Sequence, residues 1–103
     1  NLVYTALRRT TPDIAYFKTK GGREVDFIVR LPDRRRMLVQ VCESILDRQT
    51  RSREISALSE AMSELKLKTG TLVTRSEDEL VEVDAGKITI VPAWRFLLDL
   101  DSI

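Results

Sequence analysis

Lys18-Thr19-Lys20-Gly21-Gly22-Arg23-Glu24-Val25-Asp26-Phe27, followed at Met37 by Met37-Leu38-Val39-Gln40-Val41-Cys42-Glu43-Ser44, decides the fold of this 103-residue chain. Gly21-Gly22 between two β-rich runs is a hairpin signal, so Ile14–Thr19 and Arg23–Leu31 read as paired strands. In the second run the alternation places Val25, Phe27 and Val29 on one face and Glu24, Asp26, Ile28 and Arg30 on the other. Pro32-Asp33-Arg34 is a turn, with proline supplying a φ near −65°. The run from Met37 to Ser44 is almost unbroken in apolar residues, the pattern of a central strand covered on both faces.

Working outward, Leu2, Val3, Ala6 and Leu7 give residues 1–9 helical spacing. No capping residue precedes them, which reads as a helix already under way at Asn1. Thr10-Thr11-Pro12-Asp13 breaks it. Beyond the central strand, residues 48–53 read as a polar link. A helix over 52–67 carries the stripe Ile55, Leu58, Met62 and Leu65, with Gly70 as its terminating signal. Thr71–Thr74 is a short strand. Leu80–Val83 and Ile88–Val91 form a hairpin around Asp84-Ala85-Gly86-Lys87. Pro92 opens a last helix, whose core face is read as Trp94, Leu97 and Leu98. The fold class is α/β: a mixed sheet that starts as an antiparallel meander, with one parallel crossover through the long helix. One domain fills residues 1–103, with a radius of gyration near ~13 Å.

Composition narrows the chemistry. There is no histidine, so no His-based general base and no His-ligated zinc. One cysteine makes no disulfide framework. No apolar run is long enough for a transmembrane helix, and no export leader is visible. A reduced, cytoplasmic setting is the expectation. The chain starts at Asn1 rather than Met, which predicts a longer parent. The composition, 43% hydrophobic and 32% charged, is that of an ordinary globular domain. The net charge of +1 conceals an asymmetry: residues 1–53 carry 12 Lys/Arg against 6 Asp/Glu, and residues 54–103 carry 5 against 10. A basic half is a candidate surface for phosphates. Within it, Lys18 and Lys20 on the first hairpin and Arg34, Arg35 and Arg36 in the second turn are the candidate nucleic-acid contacts.

The two strands joined by the short turn are expected to pair, and Gln40 and Cys42 share a face because side chains repeat every two residues; if that face is also the Asp26 face, the three cluster in one place. With this constellation, the chain resembles the PD-(D/E)XK nuclease superfamily, whose core is restriction-endonuclease-like and three-layered. More narrowly, it is similar to the C-terminal domain that follows AAA-type ATPase modules in bacteria and archaea. Lys18 to Phe27, Arg53-Glu54-Ile55 and Val91-Pro92-Ala93-Trp94 carry that likeness over nearly the whole chain. The resemblance implies a Mg²⁺-dependent phosphodiesterase ancestry, in which two carboxylates hold the metal and a lysine orients water. Asp26 matches the first carboxylate and is the one candidate metal ligand. Gln40 stands where the second carboxylate belongs, and Cys42 where the lysine belongs. Glu24, two residues from Asp26, is a possible substitute.

Three functions follow as expectations. The first is a degenerate, non-catalytic nuclease-like domain of an AAA-type ATPase, needing no cofactor and binding nucleic acid or a protein partner such as its own ATPase module. The second is an active Mg²⁺-dependent nuclease using Asp26 and Glu24. The third is an interaction or dimerisation module without nucleic acid. Convergence of the five basic residues on one surface favours nucleic acid; dispersal favours the interaction module.

Overall fold

The computed structural model describes residues 1–102. Helix α1 (Leu2–Thr10) leads into strands β1 (Ile14–Lys18), β2 (Glu24–Arg30) and β3 (Arg36–Val41), which pair as an antiparallel meander. Helix α2 (Arg48–Leu65) carries the chain across to β4 (Thr69–Thr74), parallel to β3. The hairpin β5 (Glu79–Val83) and β6 (Gly86–Pro92) follows, and helix α3 (Ala93–Leu100) closes the chain. The six strands form one mixed sheet in the order β1-β2-β3-β4-β6-β5. The radius of gyration is 12.6 Å.

The last hairpin enters with its second strand inward. β6 pairs parallel to β4 and adds a second parallel register to the single crossover the sequence suggests. Burial explains the choice. Ile88, Ile90 and Val91 of β6 are buried, whereas Glu79, Leu80 and Glu82 of β5 are exposed and suit an edge.

Helices cover both faces of the sheet. On one, α2 packs Ala57, Leu58, Ala61 and Met62 against Val25, Leu38, Leu72, Ile88 and Ile90. On the other, α1 and α3 bring Val3, Leu7, Phe96 and Leu100 onto Val29, Val39, Val73 and Val91. Adjacent Leu38 and Val39 thus enter opposite cores, and β3 is the doubly covered central strand that its apolar run predicts.

Several expectations are corrected. The segment 48–53, read as a link, is the first part of α2. Asp47 caps it, its carboxylate accepting from the Thr50 N–H at 2.9 Å. The helix ends at Leu65, where Lys66 turns into the left-handed region with φ 58°. The Arg36 guanidinium donates to the Leu65 carbonyl at 3.0 Å, satisfying an end-of-helix acceptor. Gly70 is therefore no cap. It lies in β4 under α2, where a Cβ would come within 3.1 Å of the Met62 sulfur, so it lets helix and strand approach closely. Asn1, read as the interior of a helix, is the cap of α1 and accepts from Val3 N–H at 2.8 Å.

Helix α3 turns the other way from its predicted face. Phe96 and Leu100 are buried and Leu97 is partly so, while Trp94 and Leu98 are each 62% exposed. Strand β2 also departs from simple alternation. Val25 packs under α2, but Phe27 and Val29 belong to the opposite core. Between the pairs Ala15–Ile28 and Phe17–Val25, β2 uses one residue more than β1, and this bulge switches the facing of everything before it.

The Asp26–Gln40 cleft as candidate functional site

Asp26 lies in the bulge that β2 makes against β1 and also where β2 and β3 stop pairing through their backbones. The last paired residues there are Phe27 and Val39. Beyond them the two strands are joined by side chains. The Asp26 N–H donates to Gln40 Oε1 at 2.7 Å, Gln40 Nε2 donates to the Glu24 carbonyl at 3.2 Å, and the Val41 N–H donates to Asp26 Oδ2 at 2.9 Å. Gln40 is buried at 5% exposure.

These residues line a cleft of about 590 Å³ between the β2–β3 edge and the N-terminal half of α2. Glu24, Asp26, Gln40 and Cys42 stand on the strand side, with Arg53 and Glu54 on the helix side. The structure thus brings together Asp26, Gln40, Cys42 and Glu24, the four motif positions singled out in the sequence. Glu43 lies outside this lining and pairs with Arg75 instead.

Each group's surroundings limit its chemistry. The Cys42 thiol is pushed up to about 11, by burial first and then by the negative charges of Glu54 and Glu77, so it is protonated near neutral pH. On β1, Tyr16 is pushed up to about 12 by its hydrogen bond to the Glu24 carboxylate. Glu54 belongs to the Arg53-Glu54-Ile55 likeness but is not among the site residues expected from the sequence. It is buried on the inner stripe of α2, four residues before Leu58 and seven before Ala61. That spacing was the available signal. Its carboxylate lies 3.5 Å from Arg53 Nε.

The donor set does not fit Mg²⁺. A hard cation needs several free oxygen ligands. Gln40 Oε1 is occupied by the Asp26 N–H, Asp26 Oδ2 holds the Val41 N–H, and Cys42 offers a protonated sulfur. Among the described residues, no group of three or more His, Cys, Asp or Glu has the geometry to hold a metal ion.

The basic candidates belong to two turns. Lys18 ends β1 and Lys20 sits in the first hairpin, whereas Arg34, Arg35 and Arg36 lie in and after the second turn. The two turns lie at opposite ends of seven-residue β2, yet Lys20 N–H and the Arg36 guanidinium reach neighbouring residues of α2, Glu64 and Leu65. Arg35 pairs with Asp33 at 2.6 Å, and Arg36 is bound to the end of α2. Around Lys20, the loop N–H groups are held by acids of α2: Lys20 N–H by Glu64 at 2.6 Å and Gly21 N–H by Glu60 at 3.2 Å. The charge asymmetry along the sequence is likewise folded together, through Arg23–Glu60, Arg51–Glu79 and Arg75–Glu43 pairs.

No helix among the described residues is long and apolar enough to cross a membrane. Among curated proteins and solved structures, none matches the chain. Residues 1–96 match the model of a domain of unknown function, DUF4143. With nearly its whole length matched, the chain belongs to the DUF4143 family.

Proposed function

We propose that this chain is a PD-(D/E)XK-like, restriction-endonuclease-like domain that has lost its catalytic chemistry and serves an AAA-type ATPase as an interaction module. The carrying observation is the cleft itself. Asp26, Gln40 and Cys42 gather at one strand pair in the order of the nuclease motif, yet the Gln40 amide and one Asp26 oxygen are bound to backbone. The engagement of Arg35 by Asp33 and of Arg36 by the end of α2 favours a protein partner over nucleic acid. So does the helical layer of α1 and α3, which leaves Leu2 of α1 and Trp94 and Leu98 of α3 exposed. The partner that fits the family resemblance is the ATPase module of the same parent, in a cytoplasmic setting.

Calorimetric titration of this domain with the separately produced ATPase module tests the reading. Saturable binding that weakens at least tenfold in Trp94→Ala/Leu98→Ala supports it, and absence of binding overturns it. In parallel, salt-titrated DNA and RNA binding is expected to be weak even at low ionic strength. Plasmid incubated with Mg²⁺ or Mn²⁺ is expected to remain intact. Cleavage that disappears in Asp26→Ala overturns the non-catalytic reading in favour of a nuclease using Asp26 and Glu24.

A further inference from the structure

We infer that Gln40 is a strand splint: its carboxamide takes over where the backbone pairing of β2 with β3 ends at Phe27–Val39, and this role excludes it from holding a cation. The inference deepens the reading of the cleft as non-catalytic.

The local bonding demands an amide. After Phe27–Val39 the two strands no longer exchange backbone bonds, and Asp26 N–H and the Glu24 carbonyl of β2 are left facing β3. One is a donor and the other an acceptor. Only a side chain presenting both an acceptor and a donor satisfies the pair, and a glutamine amide has the length and both groups. The same network fixes which end of the amide is oxygen, since Oε1 meets an N–H and Nε2 meets a carbonyl. A glutamate carboxylate offers acceptors alone and would face the Glu24 carbonyl oxygen with no proton between them. A lysine offers donors alone and would leave the Asp26 N–H unpaired.

The arrangement is reciprocal. Gln40 of β3 reaches the backbone of β2, and Asp26 of β2 reaches the Val41 N–H of β3. Each side chain stands in for a peptide group of its own strand. The Gln40 side chain is buried, so breaking either bond strands a polar group away from water. For Gln40 Oε1 to ligate a metal it must release Asp26. The residue that occupies the second-carboxylate position therefore holds the rim of the cleft in shape, and the rim carries Glu24 and Asp26 on a spacing set by one amide.

The test uses Gln40→Glu and Gln40→Ala, with melting curves at pH 7 and pH 4. At pH 7 both variants are expected to melt about 5–15 °C below the parent, the scale of one or two lost buried hydrogen bonds in a domain of this size. At pH 4 the Gln40→Glu deficit narrows, because a protonated carboxyl regains one donor and one acceptor, while the Gln40→Ala deficit stays. A Gln40→Glu protein as stable as the parent at pH 7 overturns the splint. Should either variant fail to fold, the parent protein decides alone. Its Gln40 side-chain amide protons are expected to exchange with solvent at least tenfold more slowly than those of exposed Gln49, and equal rates overturn the inference. Mn²⁺ added to the parent is expected to cause no localised broadening of the Asp26, Gln40 and Val41 signals. Localised broadening there overturns both this inference and the non-catalytic reading, whereas a neutral Gln40→Glu without broadening overturns the splint alone.

Discussion

The Ser44 hydroxyl donates to Glu77 Oε1 at 2.7 Å, joining the segment between β3 and α2 to the loop between β4 and β5. The Ile45 N–H donates to the same oxygen at 3.0 Å. These bonds favour the ionised carboxylate and hold Glu77 down at about 2, the Ser44 hydroxyl contributing most and burial opposing it. A carboxyl whose folded pKa is depressed binds fewer protons than its unfolded counterpart. Its stabilisation is full above the ordinary value of 4.5 and is lost as pH falls from there toward 2. In melting curves of the parent and Glu77→Ala, the parent is expected to be more stable at pH 7 and to lose that advantage progressively between pH 4.5 and 2. An advantage that holds constant across that window would refute the assignment.

Two glycines carry different burdens. Gly86 opens β6 directly against the Lys68 carbonyl, which accepts from Lys87 N–H at 2.9 Å, and any Cβ on Gly86 would land on that carbonyl. Gly22 has φ +89° but open space around its Cβ position. Gly86→Ala therefore forces backbone apart, at about 1–3 kcal/mol or more. Gly22→Ala meets only conformational strain, about 1 kcal/mol. Urea denaturation should rank Gly86→Ala as clearly the less stable; the reverse order would contradict the packing at Lys68.

What the sequence conveyed depended on whether the signal was local. The Gly21-Gly22 hairpin and the central strand with Leu38 and Val39 were legible because turn chemistry and a continuous apolar run speak for themselves. So was the shared face of Gln40 and Cys42, two residues apart on one strand, whereas the sequence left open whether Asp26 faces the same way. The bulge was not legible, because alternation in one strand says nothing of how many residues its partner uses. It is what sends Val25 and Phe27 to opposite cores. The start of α2 was hidden by the polar residues that fill its first turns, although Asp47 was a readable cap. The binding of Gln40 to backbone was beyond reach, for no pattern distinguishes an amide facing solvent from one facing a broken ladder.

Helix α3 offers a sharper contrast. It is apolar at Trp94 and Leu98 and again at Phe96 and Leu100, both pairs at i, i+4 spacing, so periodicity alone leaves the inward face undecided. The fold buries Phe96 and Leu100 and exposes the other pair. Phe96→Ala is expected to cost about 3–5 kcal/mol by opening a cavity over Val73 and Val91. Trp94→Ala at 62% exposure is expected to stay within about 1 kcal/mol of the parent. Denaturant midpoints measure both. A Trp94→Ala loss as large as that of Phe96→Ala would mean that the indole is covered.

Cys42 keeps its thiol protonated near neutral pH. Its Sγ lies 3.8 Å from the Ser44 carbonyl, and it faces the negative charges of Glu54 and Glu77. Burial is the larger influence, and together they push the thiol from an ordinary 9.0 up to about 11. Thiolate is the reacting species in alkylation, so at pH 8 the fraction available is about a hundredfold below that of an ordinary thiol. Iodoacetamide should modify the folded protein about a hundredfold more slowly than the urea-unfolded chain at pH 8, with the folded rate still climbing between pH 9 and 11. In Glu54→Gln the negative charge that raises the thiol most is gone, so the folded rate at pH 8 should rise. A folded rate that reaches half its maximum near pH 9 would show that the cleft leaves the thiol unperturbed.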